Sequence, residues 1–361
     1  MRILFCGGGT AGHVYPNIAI AEAFTRNYRN VKVAYVTTLN GIENELVSFQ
    51  KYSINLIGVK RKISLEGIRF AYLLAKSIQD SKKIIKEFNP DIIVGTGGYA
   101  TFPVIYAGYK LGIKTILHES NLIPGKAIKN LENFADKIFV NFSETQKYFK
   151  HKEKIVHTGN PIRQEYCFLN QNDAKGKLNV KDKNVILCFG GSLGAERIND
   201  STVELIENFI RHRKDVFLFW ATGKKDYSRC MLMLKKKNLD KIKNMMITDY
   251  LYDMPKYLSA ADVVVCRAGA MTISEIALCG KCSVLIPSPN VANNHQYINA
   301  KALYDAQGAI LLREDEIYKL SDTVKDLIEN DEKRKNVENN AKKFAKIDAN
   351  KVIIKEILNI I

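Results

Sequence analysis

Cys6-Gly7-Gly8-Gly9-Thr10-Ala11-Gly12-His13-Val14-Tyr15-Pro16 is the stretch on which the fold turns. The apolar run Arg2-Ile3-Leu4-Phe5 leads into it, and a helical pattern, Ile18-Ala19-Ile20-Ala21-Glu22-Ala23-Phe24, leads out. A strand that becomes a helix through glycine leaves backbone N–H groups and the positive end of a helix dipole aimed at one spot, which suits a phosphate. The spacing Gly7-x-Gly9-x-x-Gly12 also fits the dinucleotide fingerprint, but that fingerprint requires an acidic residue about 20 positions on, at the end of the next strand. Here that strand, Val31 to Val36, runs into Thr37-Thr38. The loop therefore speaks for a sugar phosphate rather than for NAD.

A second glycine turn repeats the arrangement. Asn184 to Phe189 reads as a buried strand, Gly190-Gly191-Ser192-Leu193-Gly194 as the turn, and Ala195-Glu196-Arg197 as a helix start. Short apolar runs followed by helices recur at Asp91–Gly95, Lys114–Leu117, Lys137–Val140, Val216–Trp220, Asp262–Cys266 and Ser283–Ile286. Continuous apolar strands separated by helices imply parallel sheets covered on both faces. The chain reads as α/β, with two Rossmann-like domains whose sheets face each other across a cleft, ligands lying beyond the carboxyl ends of the strands. Its length of 361 residues and hydrophobic fraction of 46% suit two cores. The expected divisions are 1–162, 163–340 and a terminal helix, 341–361, packing back on the first domain.

The chain opens on Met1-Arg2 without a signal-peptide pattern, and its seven cysteines are scattered, which predicts reduced thiols. Cys279-Gly280-Lys281-Cys282 lacks a second ligand pair and reads as packing. No apolar run reaches the length of a membrane span. The net charge of +16 calls for an anionic partner or merely reflects a lysine-rich proteome. No nucleic-acid-binding pattern accompanies it, so an anionic membrane surface or a phosphorylated substrate is expected instead of nucleic acid.

A third constellation, Arg267-Ala268-Gly269-Ala270-Met271-Thr272-Ile273-Ser274-Glu275, turns through Gly269 into a helix. A glutamate in the first turns of that helix can accept two hydrogen bonds from a ribose diol, or can serve only to stabilise the helix.

These motifs, together with Gly97-Gly98-Tyr99, His118-Glu119-Ser120-Asn121, Gly159-Asn160-Pro161-Ile162-Arg163 and Asn293-Asn294-His295-Gln296, occur in the order and spacing of one family. The chain resembles the MurG family, the bacterial UDP-N-acetylglucosamine:undecaprenyl-pyrophosphoryl-muramoylpentapeptide N-acetylglucosaminyltransferases. The resemblance covers nearly the whole chain. It implies the GT-B fold, an acceptor domain followed by a donor domain, and inverting transfer of GlcNAc from UDP-GlcNAc to the C4 hydroxyl of MurNAc in lipid I, forming lipid II. It also implies a peripheral protein on the cytoplasmic face of the cell membrane, working beside other proteins of cell-wall synthesis, with no cofactor and no metal.

On the donor side the resemblance assigns Arg163, Ser192, Ala270, Met271, Thr272, Glu275 and Gln296. On the acceptor side Gly9, Thr10, Ala11 and Gly12 resemble the loop for the lipid pyrophosphate, while His13 and Asn121 resemble the catalytic pair. A histidine titrating near neutrality suits removal of the hydroxyl proton. The other reading of His13 is an orienter of a phosphate oxygen. His118, at a strand end, reads as structural. Two rival functions share parts of this pattern: a UDP-GlcNAc 2-epimerase of the same fold, and a non-catalytic subunit that binds a nucleotide sugar or a lipid.

The segment Leu65 to Glu87 reads as a helix with two faces. Phe70, Leu73, Leu74, Ile78, Ile84 and Ile85 form a stripe wide enough to bury. Leu65, Ile68 and Tyr72 gather on the other side among Arg69, Lys76 and Lys83, with Lys60-Arg61-Lys62 upstream. Such a pattern by itself reads as a solvated basic face with a few apolar residues covered by a neighbouring loop; with the lipid-linked acceptor that the resemblance implies, it reads as a membrane-contacting patch of Leu65, Ile68, Arg69, Tyr72 and Lys76.

Overall fold

A computed structural model describes residues 1–56, 65–191 and 193–361. The chain divides into two compact units, Met1–Arg163 with Lys346–Ile361, and Gln164–Ala345.

The first unit is built on a seven-stranded sheet: β1 (Arg2–Cys6), β2 (Lys32–Thr38), β3 (Gln50–Ile54), β4 (Ile92–Gly95), β5 (Lys114–Glu119), β6 (Lys137–Val140) and β7 (Ile155–His157). Their order is β3-β2-β1-β4-β5-β6-β7, and every pairing is parallel. The order reverses between β1 and β4, where Cys6 lies opposite Gly95. A crevice opens at such a switch point beyond the strand ends, and the turns after β1 and β4 are the two glycine turns Gly7–Gly12 and Gly97–Gly98. Three helices matter here: α1 (Ala11–Asn27), α2 (Leu65–Phe88) and α3 (Thr101–Lys110).

Helix α1 begins at Ala11, well before the apolar periodicity starts at Ile18, and it contains Pro16. The proline has no N–H to offer the Gly12 carbonyl, one helical bond is lost, and the helix tolerates it this close to its start. His13 is therefore inside the first turn rather than in a loop ahead of the helix.

Both faces of the sheet are covered. On one, Leu4, Cys6, Ile93 and Leu117 pack with Ile84, Ile85 and Phe88 of α2, and Phe70, Leu73, Leu74 and Ile78 add partly buried contacts. That is the stripe expected for this helix. On the other face Ile3, Phe5 and Phe139 pack with Ile18 and Phe24 of α1 and with Ile353 and Ile357. The last two belong to the terminal helix Ala349–Ile360.

The second unit repeats the plan with six parallel strands: β8 (Asn184–Phe189), β9 (Val216–Ala221), β10 (Met245–Thr248), β11 (Val263–Cys266), β12 (Cys282–Leu285) and β13 (Ile310–Leu311). Their order, β10-β9-β8-β11-β12-β13, reverses between β8 and β11. Here too the glycine turns follow the two strands at the switch point. They lead into α4 (Glu196–Asn208) and α5 (Ala270–Cys279), and α6 (His295–Asp305) follows β12.

Candidate functional site

In the first unit the loop after β1 is clamped against the loop after β4. Gly8 N–H donates to the Gly97 carbonyl at 3.2 Å. Gly98 takes φ +80° with the Gly8 backbone so close that any side chain would overlap it. Beneath the loop, the fully buried Asn17 donates from Nδ2 to the Cys6 carbonyl (3.0 Å), the Tyr35 hydroxyl (3.2 Å) and Thr96 Oγ1 (2.9 Å). Tyr35 in turn donates to the Gly7 carbonyl at 2.9 Å. On the far side, the buried Glu43 carboxylate accepts from Thr38 N–H (2.9 Å) and Oγ1 (2.7 Å), 2.9 Å from where a Gly8 Cβ would stand.

Thr10 is the N-cap residue of α1, yet its side chain makes no capping bond and no acidic residue occupies the first turn. Gly9, Thr10 and Gly12 are exposed and Ala11 is half-buried. The helix start thus presents N–H groups that no carboxylate of the helix neutralises, the arrangement an anion selects. The Thr10 hydroxyl lies 3.2 Å from His13 Nδ1, which also stands 3.0 Å from the Gly8 carbonyl. A carbonyl oxygen only accepts, so Nδ1 is the donor there, and in the neutral imidazole this leaves the lone pair on Nε2. Nε2 faces Gly97, 3.2 Å from where its Cβ would be.

Asn121 is held by the residue two before it. The nearly buried Glu119 carboxylate accepts from Asn121 N–H (2.9 Å), Asn121 Nδ2 (3.0 Å) and Gly125 N–H (2.7 Å), while burial pushes its pKa up. One amide proton of Asn121 is thereby committed to Glu119. His118 is fully buried, its Nε2 is 3.2 Å from the Gly159 carbonyl, and burial lowers its pKa to about 4. It is a neutral structural histidine. The Arg163 guanidinium lies over the Tyr15 ring at 5.2 Å. Just before it, Asn350 clasps Ile162 by donating to its carbonyl (2.7 Å) and accepting from its N–H (3.2 Å).

In the second unit the turn after β8 has the same construction. Gly191 and Gly194 take φ +92° and +83°, and Gly194 packs on the Thr222 carbonyl. Below it the fully buried Asn199 donates to that carbonyl at 2.9 Å and accepts from Trp220 Nε1 at 3.0 Å. Helix α4 starts after Ala195 without a side-chain cap. Ser192 lies outside the described residues.

Helix α5 starts after Gly269 at Ala270, Met271 and Thr272, again with no side-chain cap and no acid in its first turn. Glu275 lies within the first turns of α5, as the sequence suggests. It is the sixth residue of α5, in the second turn, where the dipole contributes little; it is half-buried there. Gln296, at the start of α6, accepts from Ser288 N–H through Oε1 at 2.9 Å, which leaves its NH2 group as the donor. Asn293 and Asn294 just before it both have positive φ, +54° and +50°.

The surface helix α2 exposes Arg69, Tyr72 and Lys76, and Tyr72 is 66% exposed. The backbone at Leu65 and Ile68 is helical but their side chains, like Lys60-Arg61-Lys62, are outside what the structure describes. Among the described residues no helix is long and apolar enough to cross a membrane, and no three His, Cys, Asp or Glu side chains are grouped to hold a metal ion.

Sequence reasoning missed the supports of both turns: Asn17, Tyr35, Glu43 and Thr96 in one unit, Asn199 and Trp220 in the other. A signal existed, since Asn17 and Asn199 each interrupt the apolar face of a helix directly after a glycine turn.

Comparison with known proteins places these features in a lineage. A profile described as "Glycosyltransferase family 28 N-terminal domain" matches residues 3–140, and "Glycosyltransferase family 28 C-terminal domain" matches residues 185–353. The chain is 39% identical over 366 aligned residues, covering 100% of both sequences, to a UDP-N-acetylglucosamine–N-acetylmuramyl-(pentapeptide) pyrophosphoryl-undecaprenol N-acetylglucosamine transferase of Thermoanaerobacter sp.. It is 43% identical to a protein of the same description from Bacillus cytotoxicus, covering 88% of this chain and 87% of that one. Among solved structures, MurG of Acinetobacter baumannii superposes with a TM-score of 0.74 at 24% identity, over 99% of each chain. A UDP-GlcNAc 2-epimerase from Neisseria meningitidis, bound to UDP-GlcNAc, reaches 0.70 at 15% identity over 99% of this chain and 100% of that one. Both likenesses show the GT-B fold.

Proposed function

The chain belongs to glycosyltransferase family 28, among the UDP-N-acetylglucosamine–N-acetylmuramyl-(pentapeptide) pyrophosphoryl-undecaprenol N-acetylglucosamine transferases, and from that premise we propose that it transfers GlcNAc from UDP-GlcNAc to the C4 hydroxyl of MurNAc in lipid I, forming lipid II with inversion at the anomeric carbon. The observation that carries the reading of the site is the orientation of His13. Its Nδ1 is 3.0 Å from the Gly8 carbonyl, so the Nε2 lone pair serves the acceptor.

In the first unit, the N–H groups at Gly9, Thr10, Ala11 and Gly12 bind the acceptor's pyrophosphate. The attacking hydroxyl gives its proton to His13 Nε2 as its oxygen bonds to the GlcNAc C1 atom. The bond from C1 to the phosphate oxygen breaks, and its electron pair leaves with UDP. Asn121, oriented by Glu119, accepts a hydrogen bond from an acceptor hydroxyl through Oδ1. In the second unit, the uncapped start of α5 at Ala270, Met271 and Thr272 binds the donor diphosphate, Glu275 the ribose, and the Gln296 NH2 group a GlcNAc hydroxyl. Arg163 and Ser192 complete the donor contacts. The dipole at the start of α5 and the Arg163 cation stabilise the charge that develops on the leaving diphosphate.

The lipid-linked acceptor also gives the exposed cations of α2 a task. Arg69, Tyr72 and Lys76, with Leu65 and Ile68, rest on the anionic cytoplasmic face of the membrane as a peripheral anchor.

Incubation of the protein with radiolabelled UDP-GlcNAc and a lipid I analogue tests the reaction. Label in a disaccharide product with release of UDP is the expected result. Label confined to an epimerised UDP-sugar would overturn the proposal in favour of an epimerase.

A further inference from the structure

The first unit holds a chain of hydroxyls that the proposed reaction leaves idle. Thr38, the last residue of β2, and Glu43, in the short helix Glu43–Leu46 that follows, are both buried. Glu43 Oε1 accepts from Thr38 N–H at 2.9 Å and from Thr38 Oγ1 at 2.7 Å, and among the described residues Oε2 has no hydrogen-bond partner. The hydroxyl of Tyr99, in the turn after β4, lies 3.3 Å from Thr38 Oγ1.

The direction of the protons along this chain follows from counting them. A threonine hydroxyl has one proton, and the short bond to the carboxylate takes it, since a charge-assisted bond is about twice as strong as a neutral one. Thr38 Oγ1 is then an acceptor towards Tyr99, and the phenolic proton points inward. Among the described residues the Tyr99 hydroxyl makes no other hydrogen bond. What it offers a ligand is therefore a lone pair, whereas an unrestrained tyrosine could present either a donor or an acceptor.

Its place decides which ligand group meets it. Tyr99 is half-buried, and its ring lies against Gly9, 3.0 Å from where a Cβ there would stand. Gly9 belongs to the loop that the transferase reading, on which this inference rests, gives to the acceptor's pyrophosphate. An ionised phosphate oxygen has no proton to donate, so the Tyr99 oxygen is not its partner. The pyrophosphate is carried on C1 of the muramyl sugar. The ring neighbours of C1 are an oxygen, which bears no hydrogen, and C2, which bears the acetamido group. The N–H of that group is the hydrogen-bond donor of the sugar nearest the pyrophosphate.

We propose that Tyr99, its proton held by the buried Thr38–Glu43 pair, accepts a hydrogen bond from the acetamido N–H at C2 of the acceptor sugar. Tyr99 is then a specificity-determining residue for an N-acetylated acceptor, and Thr38 and Glu43 are positioning residues that act through it.

The test uses two water-soluble lipid I analogues, one with the C2 acetamido group and one with an O-acetyl ester in its place, which keeps the shape and removes the N–H. The parent is expected to show a KM about tenfold higher for the ester, because a site built around an N–H leaves its acceptor unpaired when the N–H is missing. Tyr99→Phe should bring the ratio below threefold by raising KM for the acetamido analogue, with kcat and the KM for UDP-GlcNAc within twofold of the parent. Thr38→Val frees the phenolic proton and should lower the ratio in the same way, and Thr38→Ser should restore it. A parent that treats the two analogues alike would overturn the proposal. So would a parent-like ratio in Tyr99→Phe or in folded Thr38→Val, or a lowered ratio in folded Thr38→Ser. Thermal unfolding at the parent temperature shows which variants are folded, and Tyr99→Phe, which removes one exposed-side oxygen, decides the matter if the Thr38 variants are not. Failure of the parent to transfer sugar to the acetamido analogue would instead overturn the transferase reading itself.

Discussion

His13 acts through a single imposed tautomer. The contact with the Gly8 carbonyl is a donor contact of Nδ1, so in the proposed reaction Nε2 is the nitrogen that takes the acceptor's proton. His13→Gln keeps polarity and loses the base. Its kcat is expected to fall about 10²- to 10⁴-fold with little change in donor KM, and the acid limb of the pH–rate profile should vanish. A variant that keeps its kcat and loses only acceptor affinity would make His13 a phosphate orienter. Glu275 belongs to the same scale. Its second-turn position weakens the dipole explanation, and under the proposed ribose contact Glu275→Ala should raise donor KM roughly tenfold to a hundredfold. An unchanged KM in a folded variant would remove it from the site.

His118 makes a prediction about pH rather than rate. Its folded pKa, about 4, is depressed below the unfolded value. A depressed pKa means that the neutral form stabilises the fold above about pH 6.5, and that this contribution is lost as pH falls towards 4, by about 3 kcal/mol in all. Glu119 beside it has a raised pKa, so its burial penalty is relieved as pH falls and works in the opposite direction. Denaturant unfolding of the parent and of His118→Asn between pH 4 and 7 isolates the histidine term. The two stabilities should converge as pH falls, and parallel curves would show that His118 is not buried neutral.

At the scale of elements, the strands that could be read from sequence and those that could not are separated by position in the sheet. The interior strands have both faces covered, and their apolar residues mark them in the sequence. The four strands the sequence reading did not single out are β3, β7, β10 and β13, and these are the four sheet edges. β3, Gln50-Lys51-Tyr52-Ser53-Ile54, is mostly solvated and buries only Ile54, so solvent rather than packing shaped its composition. The same logic explains the site. Glycines and a helix start are local signals, and both turns were legible. Their supports join residues distant in sequence, as Asn17 joins Tyr35 and Thr96, and no local pattern encodes that. Asn17→Leu tests the support: leaving Tyr35 and Thr96 without their buried partner should cost about 2–4 kcal/mol and lower acceptor affinity. A variant as stable as the parent would show that the glycine turn supports itself.

For the whole molecule, a charge of +16 acts at long range where single contacts do not. The exposed cations of α2 concentrate part of that charge, each worth about 1 kcal/mol close to an anionic surface. Arg69→Glu combined with Tyr72→Ser and Lys76→Glu should weaken binding to vesicles containing anionic lipid at least tenfold at low salt. The difference from the parent should shrink as salt is raised. Activity on a short-chain soluble acceptor is expected to stay at the parent level, and equal vesicle binding by both proteins would move the anchor elsewhere.

The last sixteen residues, Lys346–Ile361, belong to the unit that begins at Met1. The order of synthesis therefore differs from the order of completion. A ribosome adding about 5–20 residues per second releases the whole second unit while the first still lacks Ile353 and Ile357 from one face of its sheet and the Asn350 clasp at Ile162. During that interval one face of the first unit's sheet waits for residues made after the second unit. Truncation after residue 345 would leave an intact second unit tethered to a first unit whose sheet lacks Ile353 and Ile357 on that face.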